Sequence, residues 1–152
     1  MKTVEGDLLQ LAEDGAFDVI VHGCNCFCTM GAGIAKSIKQ RFPEAYQADL
    51  KTEKGSRDKL GSYSFISVAT SCGELVVVNG YTQYSYRRSR SPNLDYEAIR
   101  SVFAGVKEQF GDLRIGFPAI GAGFAGGDWE KIWEIIEEEL ADTDATFVRY
   151  VG

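Results

Sequence analysis

The sequence is short of several things, and each shortage narrows what the chain does. It has one histidine, His22, in 152 residues. That histidine is the one side chain whose ordinary pKa lies near neutrality. Basic residues are outnumbered, 16 Lys and Arg against 22 Asp and Glu, for a net charge of −6. A nucleic-acid binder that works by neutralising phosphates shows the opposite balance. No apolar run approaches the roughly 18–20 residues of a membrane span, and residues 1–5 open directly into a strand-like pattern with no leader before it. The expected address is the cytoplasm, with no membrane partner. The four cysteines, Cys24, Cys26, Cys28 and Cys72, form with His22 the pattern H-x-C-x-C-x-C. Metal sites favour wider spacing, and alternate residues of an extended segment point to opposite sides. No second Cys/His cluster completes a tetrahedral site, so the expectation is no metal, with reduced thiols used as small packing residues. There is no internal repeat, linker or low-complexity segment. A chain of this length is read as a single domain over residues 1–152.

What remains is a globular composition, 45% apolar, organised around residues 18–41. The run Val19-Ile20-Val21 predicts a buried strand. Ile34, Ala35, Ile38 and Phe42 fall on one face of a helix predicted over 33–42. Between them lies a loop closing on Gly31-Ala32-Gly33. A strand feeding a glycine-rich turn and a helix N-terminus makes an anion site, because the first helical N–H groups lack partners and the macrodipole is positive there. A second stretch of the same kind has a strand at 113–117, a small-residue loop at 118–127 and a helix from Asp128. Either loop alone would serve as an ordinary turn. Two on one sheet would clamp a diphosphate.

The other elements follow from patterning. Strands are predicted at 2–4, 17–21, 61–69, 74–78 and 146–151, and helices at 8–13, 44–50, 95–110 and 128–140. Asp7 caps the helix at 8–13 or accepts an amino proton from a base. The segment 79–84 is either a turn with surface tyrosines or a ligand-binding loop at a strand's carboxyl end. Arg87, Arg88 and Arg90 form an exposed loop or a rim for an anionic substrate, and the acidic face from Glu134 to Asp142 is solvated. Alternating strands and helices give a three-layer α/β/α sandwich, with a mixed, mostly parallel, six-stranded sheet.

These residues resemble the macrodomains, which bind ADP-ribose and its derivatives. The matching segments are Gly6-Asp7-Leu8, HGCNCFCTMGAGIA at 22–35, Asn79-Gly80-Tyr81-Thr82-Gln83, the IGAG turn at 120–123 and a terminal strand ending in Tyr150. MGAGIA resembles the branch containing terminal ADP-ribose glycohydrolases, DNA-ADP-ribose-removing antitoxins and yeast-type ADP-ribose-1″-phosphate phosphatases. The resemblance implies that Asp7 and the Leu8 backbone receive the adenine amino group and that Tyr150 lies against the ring. Met30, Gly31, Ala32, Gly33 and Ile34 would wrap the diphosphate and distal ribose. Pro118, Ile120, Gly121, Ala122, Gly123 and Phe124 would form the second phosphate loop, with Gln83 completing the site and Asn25 at the distal ribose. Deribosylating members of this branch use a lysine and an aspartate where this chain has Gln83 and Ala125. H-x-C-N-C at 22–26 is instead similar to the phosphatase-like members. The expectation is hydrolysis of ADP-ribose-1″-phosphate, with His22 as general acid or base, Asn25 beside it and Asp128 orienting it or activating water. The alternatives are a packed structural role for His22, a non-catalytic ADP-ribose module, or a hydrolase of ADP-ribosyl adducts. The expected partners are ADP-ribose derivatives and ADP-ribosylated macromolecules. No cofactor is expected, and the chain is read as a monomer.

Overall fold

The computed structural model describes residues 1–86, 93–121 and 127–151. Within them the order is β1 (Lys2–Gly6), α1 (Leu8–Glu13), β2 (Val19–Cys24), α2 (Gly33–Arg41), α3 (Pro43–Leu50), β3 (Tyr63–Thr70), β4 (Gly73–Tyr81), α4 (Tyr96–Phe110), β5 (Arg114–Phe117), α5 (Trp129–Glu139) and β6 (Asp144–Tyr150). The strands join in the order β1-β6-β5-β2-β4-β3. Every pairing is parallel except the β3–β4 hairpin.

Alternation along β2 builds two cores. Val19 and Val21 face one way, with Ile99, Phe103, Ile132 and Ile136 of α4 and α5. Ile20 faces the other, with Leu8, Leu9, Ile38 and Ala45 of α1 to α3. A central parallel strand covered on both faces must be apolar throughout, and Val19, Ile20 and Val21 are all fully buried. The result is the expected α/β/α sandwich.

Helix ends are set by local chemistry. Asp7, Asp95 and Asp128 cap α1, α4 and α5 through side-chain acceptors. Pro43 stands in the first turn of α3, immediately after α2 has ended. α2 and α3 have no side-chain cap; the N-cap of α2 is Ala32, and Phe42 precedes Pro43 at the start of α3.

One boundary differs from expectation. β4 does not stop at residue 78 but runs to Tyr81, pairing with β2 over residues 76–81 and with β3 over residues 73–80. Asn79 and Tyr81 are therefore buried in the sheet rather than presented by a loop. The strand tolerates Asn79 because its amide is satisfied. Nδ2 donates to the Ala45 carbonyl and to Ser64 Oγ, and Oδ1 lies 2.7 Å from His22 Nε2. Among the described residues no helix is long and apolar enough to cross a membrane.

Candidate functional site: a cleft at the carboxyl ends of the strands

Five of the strands run parallel, so their carboxyl ends and following loops meet along one edge. There they enclose a cavity of about 1330 Å³, larger than the roughly 300–1,000 Å³ of most small-molecule sites. Strand order fixes the sequence of side chains along it. Asp7 and Leu8 follow β1, and Tyr150 ends β6, so these stand at one end. Pro118, Ala119 and Gly121 follow β5, and Gly23, Cys24 and Asn25 close β2. Gln83 and Tyr86 follow β4 at the far end, with Asp49 from the end of α3.

The middle of the cleft is the N-terminus of α2. Met30, Gly31, Ala32, Gly33 and Ile34 all line it. With no side chain capping α2, its first N–H groups are left to whatever occupies the cleft. The turn is built on positive φ at Cys28, Met30 and Gly33, and a Cβ on Gly33 would meet nothing within 4 Å. Backbone conformation rather than crowding calls for glycine there. Across the cleft Gly121 has φ +75, and a Cβ on it would come within 2.5 Å of Leu94. Ala122, Gly123 and Phe124, with Ala125 and the arginines at 87, 88 and 90, lie outside the described residues.

Two further expected residues are placed with their partners. Asp7 lines the cleft while its Oδ1 accepts from the Leu9 and Gln10 amides at 2.9 and 3.2 Å, so the capping and ligand-facing roles coexist. Asn25 is fixed by a local turn, with Oδ1 accepting from the Phe27 amide and Nδ2 donating to Thr29 Oγ1 at 2.7 Å.

Three expected site residues lie elsewhere. His22 is 1% exposed and is absent from the cleft wall. It shares the Ile20 face of β2, and its ring is held by Asn79 with Cys24 Sγ nearby. Burial lowers its pKa to about 4, although the Asn79 bond opposes this. The neutral imidazole is enclosed behind Cys24, which lines the cleft, and is packed against Asn79 rather than presented on the cleft wall. Asp128 is exposed at the start of α5, where it accepts from the Glu130 amide. α5 packs on the opposite side of the sheet, so Asp128 does not orient His22. Ile120 turns into the core beneath Gly23, where a Cβ on that glycine would meet it at 3.1 Å, and it supports the floor instead of lining it.

The sequence reading missed Asp49. It is 1% exposed, yet it belongs to the cleft wall. Its Oδ1 accepts from the Tyr81 hydroxyl at 2.7 Å, and its Oδ2 has no partner among the described residues. Burial raises its pKa, while the Tyr81 bond and the Lys59 charge oppose the rise. Lys59 sits 4.5 Å above the Tyr81 ring and donates to the Cys26 carbonyl. Burial also pushes the Cys24 thiol well up, which marks it as a packing thiol rather than a nucleophile. Among the described residues no group of three or more His, Cys, Asp or Glu is placed to hold a metal ion.

Comparison with known proteins matches this geometry. A phage T4 protein of 17.5 kDa from the tk-vs intergenic region, described as uncharacterized, is 36% identical over 143 residues, covering 90% of this chain and 88% of its own. The bovine ADP-ribose glycohydrolase OARD1 is 30% identical over 156 residues, covering 97% and 88%. An ADP-ribose 1″-phosphate phosphatase of Aspergillus oryzae is 48% identical, but over 46 residues, which cover 30% of this chain and 21% of that one. The solved macrodomain of Mycobacterium tuberculosis DarG superimposes with a TM-score of 0.71 at 23% identity, covering 97% and 95%. The Macro domain family matches residues 21–136, which contain both the α2 cradle and the loop facing it. On that match, with the sheet order and cleft already described, the chain belongs to the macro domain family.

Proposed function

We propose that this protein binds ADP-ribose carried on another group and hydrolyses the bond at C1″ of the distal ribose. The observation that carries the reading is the uncapped N-terminus of α2, aimed into the cleft opposite Pro118, Ala119 and Gly121. A diphosphate satisfies those N–H groups and gains from the dipole. The adenine then falls at the β1/β6 end, its amino group toward Asp7 and the Leu8 backbone and its ring against Tyr150, which is 73% exposed and free to stack. The distal ribose falls at the β2/β4 end, beside Asn25 and Gln83.

Hydrolysis of an ADP-ribosyl adduct is favoured over phosphate release for two reasons. Of the relatives matched over nearly the whole chain, bovine OARD1 is named a glycohydrolase, while the phosphatase match is confined to a short segment. The histidine on which the phosphatase reading depended is closed off from the cleft. A second reading, binding without turnover, is favoured by Gln83, which stands where related deribosylating enzymes carry a lysine. ADP-ribosylated protein, ADP-ribosylated DNA and ADP-ribose-1″-phosphate should each be incubated with the protein, and released ADP-ribose quantified. Release from an adduct supports the proposal. Release from the phosphorylated compound alone restores the phosphatase. Binding of ADP-ribose with no release from any substrate assigns a reader.

A further inference from the structure

We propose that Asp49 fits the far end of the cleft to a neutral, hydroxyl-bearing group and turns a second anion away from it; this rests on the ADP-ribose reading and specifies its substrate. Asp49 is a buried residue of the cleft wall with one carboxylate oxygen left over. The other oxygen is committed to the Tyr81 hydroxyl, which in turn lies 2.8 Å from Ser64 Oγ. The position of the carboxyl is thus fixed from behind by β3 and β4. A buried acceptor without a donor is unfavourable, more so when charged. A ligand that brings a donor removes the penalty, and one that brings only acceptors does not.

The surroundings sharpen the choice. Among the described residues the cation that acts on Asp49 is Lys59, which is engaged with the Cys26 carbonyl and the Tyr81 ring and makes no bond to either Asp49 carboxylate oxygen. Cys28 Sγ donates to the Asp49 backbone carbonyl, and the same thiol acts on the carboxyl, opposing the rise in its pKa, without closing a hydrogen bond to Oδ2. A phosphate at the same place meets a buried carboxylate that has no ion-pair partner among the described residues, and like charges in a buried site repel strongly. Burial raises the Asp49 pKa, as withdrawal from solvent does for any carboxyl, so a ligand donor at Oδ2 is the more welcome. The distal group is therefore a sugar with free hydroxyls at this end, and a 1″-phosphorylated sugar is the poorer ligand.

Calorimetric titration with ADP, ADP-ribose and ADP-ribose-1″-phosphate tests this on the wild-type protein and on Asp49→Asn. The variant keeps an oxygen for Tyr81 and replaces the free acceptor by a donor. The wild type is expected to bind ADP-ribose at least about tenfold more tightly than the 1″-phosphate, as expected for one charge-assisted hydrogen bond. Asp49→Asn is expected to lose about tenfold for ADP-ribose, to leave ADP unchanged and to narrow the discrimination against the 1″-phosphate. Unchanged ADP-ribose affinity and discrimination in the variant overturn the proposal. So does a wild type that prefers the phosphorylated ligand, a result that needs no variant to fold. If the wild type binds none of the three, the ADP-ribose reading itself fails, and this proposal with it.

Discussion

His22 offers a quantitative handle on the account, because a buried neutral histidine links stability to pH. Its pKa is lowered to about 4 in the folded protein, against 6.5 for the unperturbed side chain. Between these values the unfolded chain carries a proton that the folded chain refuses. The stabilisation is complete above pH 6.5 and is lost progressively as pH falls toward about 4. At ~1.36 kcal/mol per unit, the full depression corresponds to roughly 3 kcal/mol, a large share of a typical domain stability of about 5–15 kcal/mol. Carboxylates titrate over part of the same range, so the readout must be a difference. Urea unfolding of wild type and His22→Gln should be compared near pH 7 and near pH 4.5. Glutamine does not titrate, and its amide can still meet Asn79. The stability advantage of wild type over the variant should shrink by about 2–3 kcal/mol on acidification. Parallel pH profiles for the two proteins would mean that His22 is already solvated in the native state. That would reopen its use as an acid or base.

Other substitutions probe the two ends of the cleft and its middle. Gly33→Asp places a carboxylate where the diphosphate is proposed to sit. The position has φ +58 with open space for a side chain, and aspartate tolerates that region better than most residues. Folding should survive, while ADP-ribose affinity measured by calorimetry falls at least about 100-fold. Tyr150→Ala should leave the melting temperature within about a degree, since the side chain is 73% exposed. It should weaken ADP-ribose and adenosine diphosphate alike by roughly tenfold, the worth of a stacked base. An effect on ADP-ribose alone would move the adenine to a different place.

Much of the architecture was legible because β2, α4 and α5 are strongly periodic. The helices over 8–13 and 95–110 and the strand at 113–117 fall within a residue or so of their expected bounds. The cradle at the start of α2 was readable because a second loop of the same kind follows β5; one such loop alone would pass for an ordinary turn. Asp7 was readable as the residue after the first strand and before a helix, whereas Asn25 came only from the resemblance, since the strand before it was expected to end at residue 21 and runs to Cys24. Asn79 and Tyr81 were read as a loop because polar residues rarely continue a central strand. Here β4 continues because His22, Ser64, Ala45 and Asp49 arrive from other elements to pair with them. No local pattern announces such a network. Asp49 was missed for the same reason. On α3 it reads as an ordinary surface carboxylate, and only the packing of that helix on β3 and β4 carries it into the cleft wall. His22 carried two readings, chemical and packed, because a lone histidine in a recognised segment invites a chemical role. The alternation of β2 decides its side, and β2 puts it on the Ile20 face.

The central claim is that the α2 cradle and the loop facing it hold the diphosphate of ADP-ribose. Calorimetric titration of the wild-type protein with ADP-ribose, with Gly33→Asp as the matched control, tests it most directly. Saturable binding at micromolar concentrations, lost in the variant, is the predicted result. No heat from the wild type at millimolar ADP-ribose, or equal binding by both proteins, would contradict it.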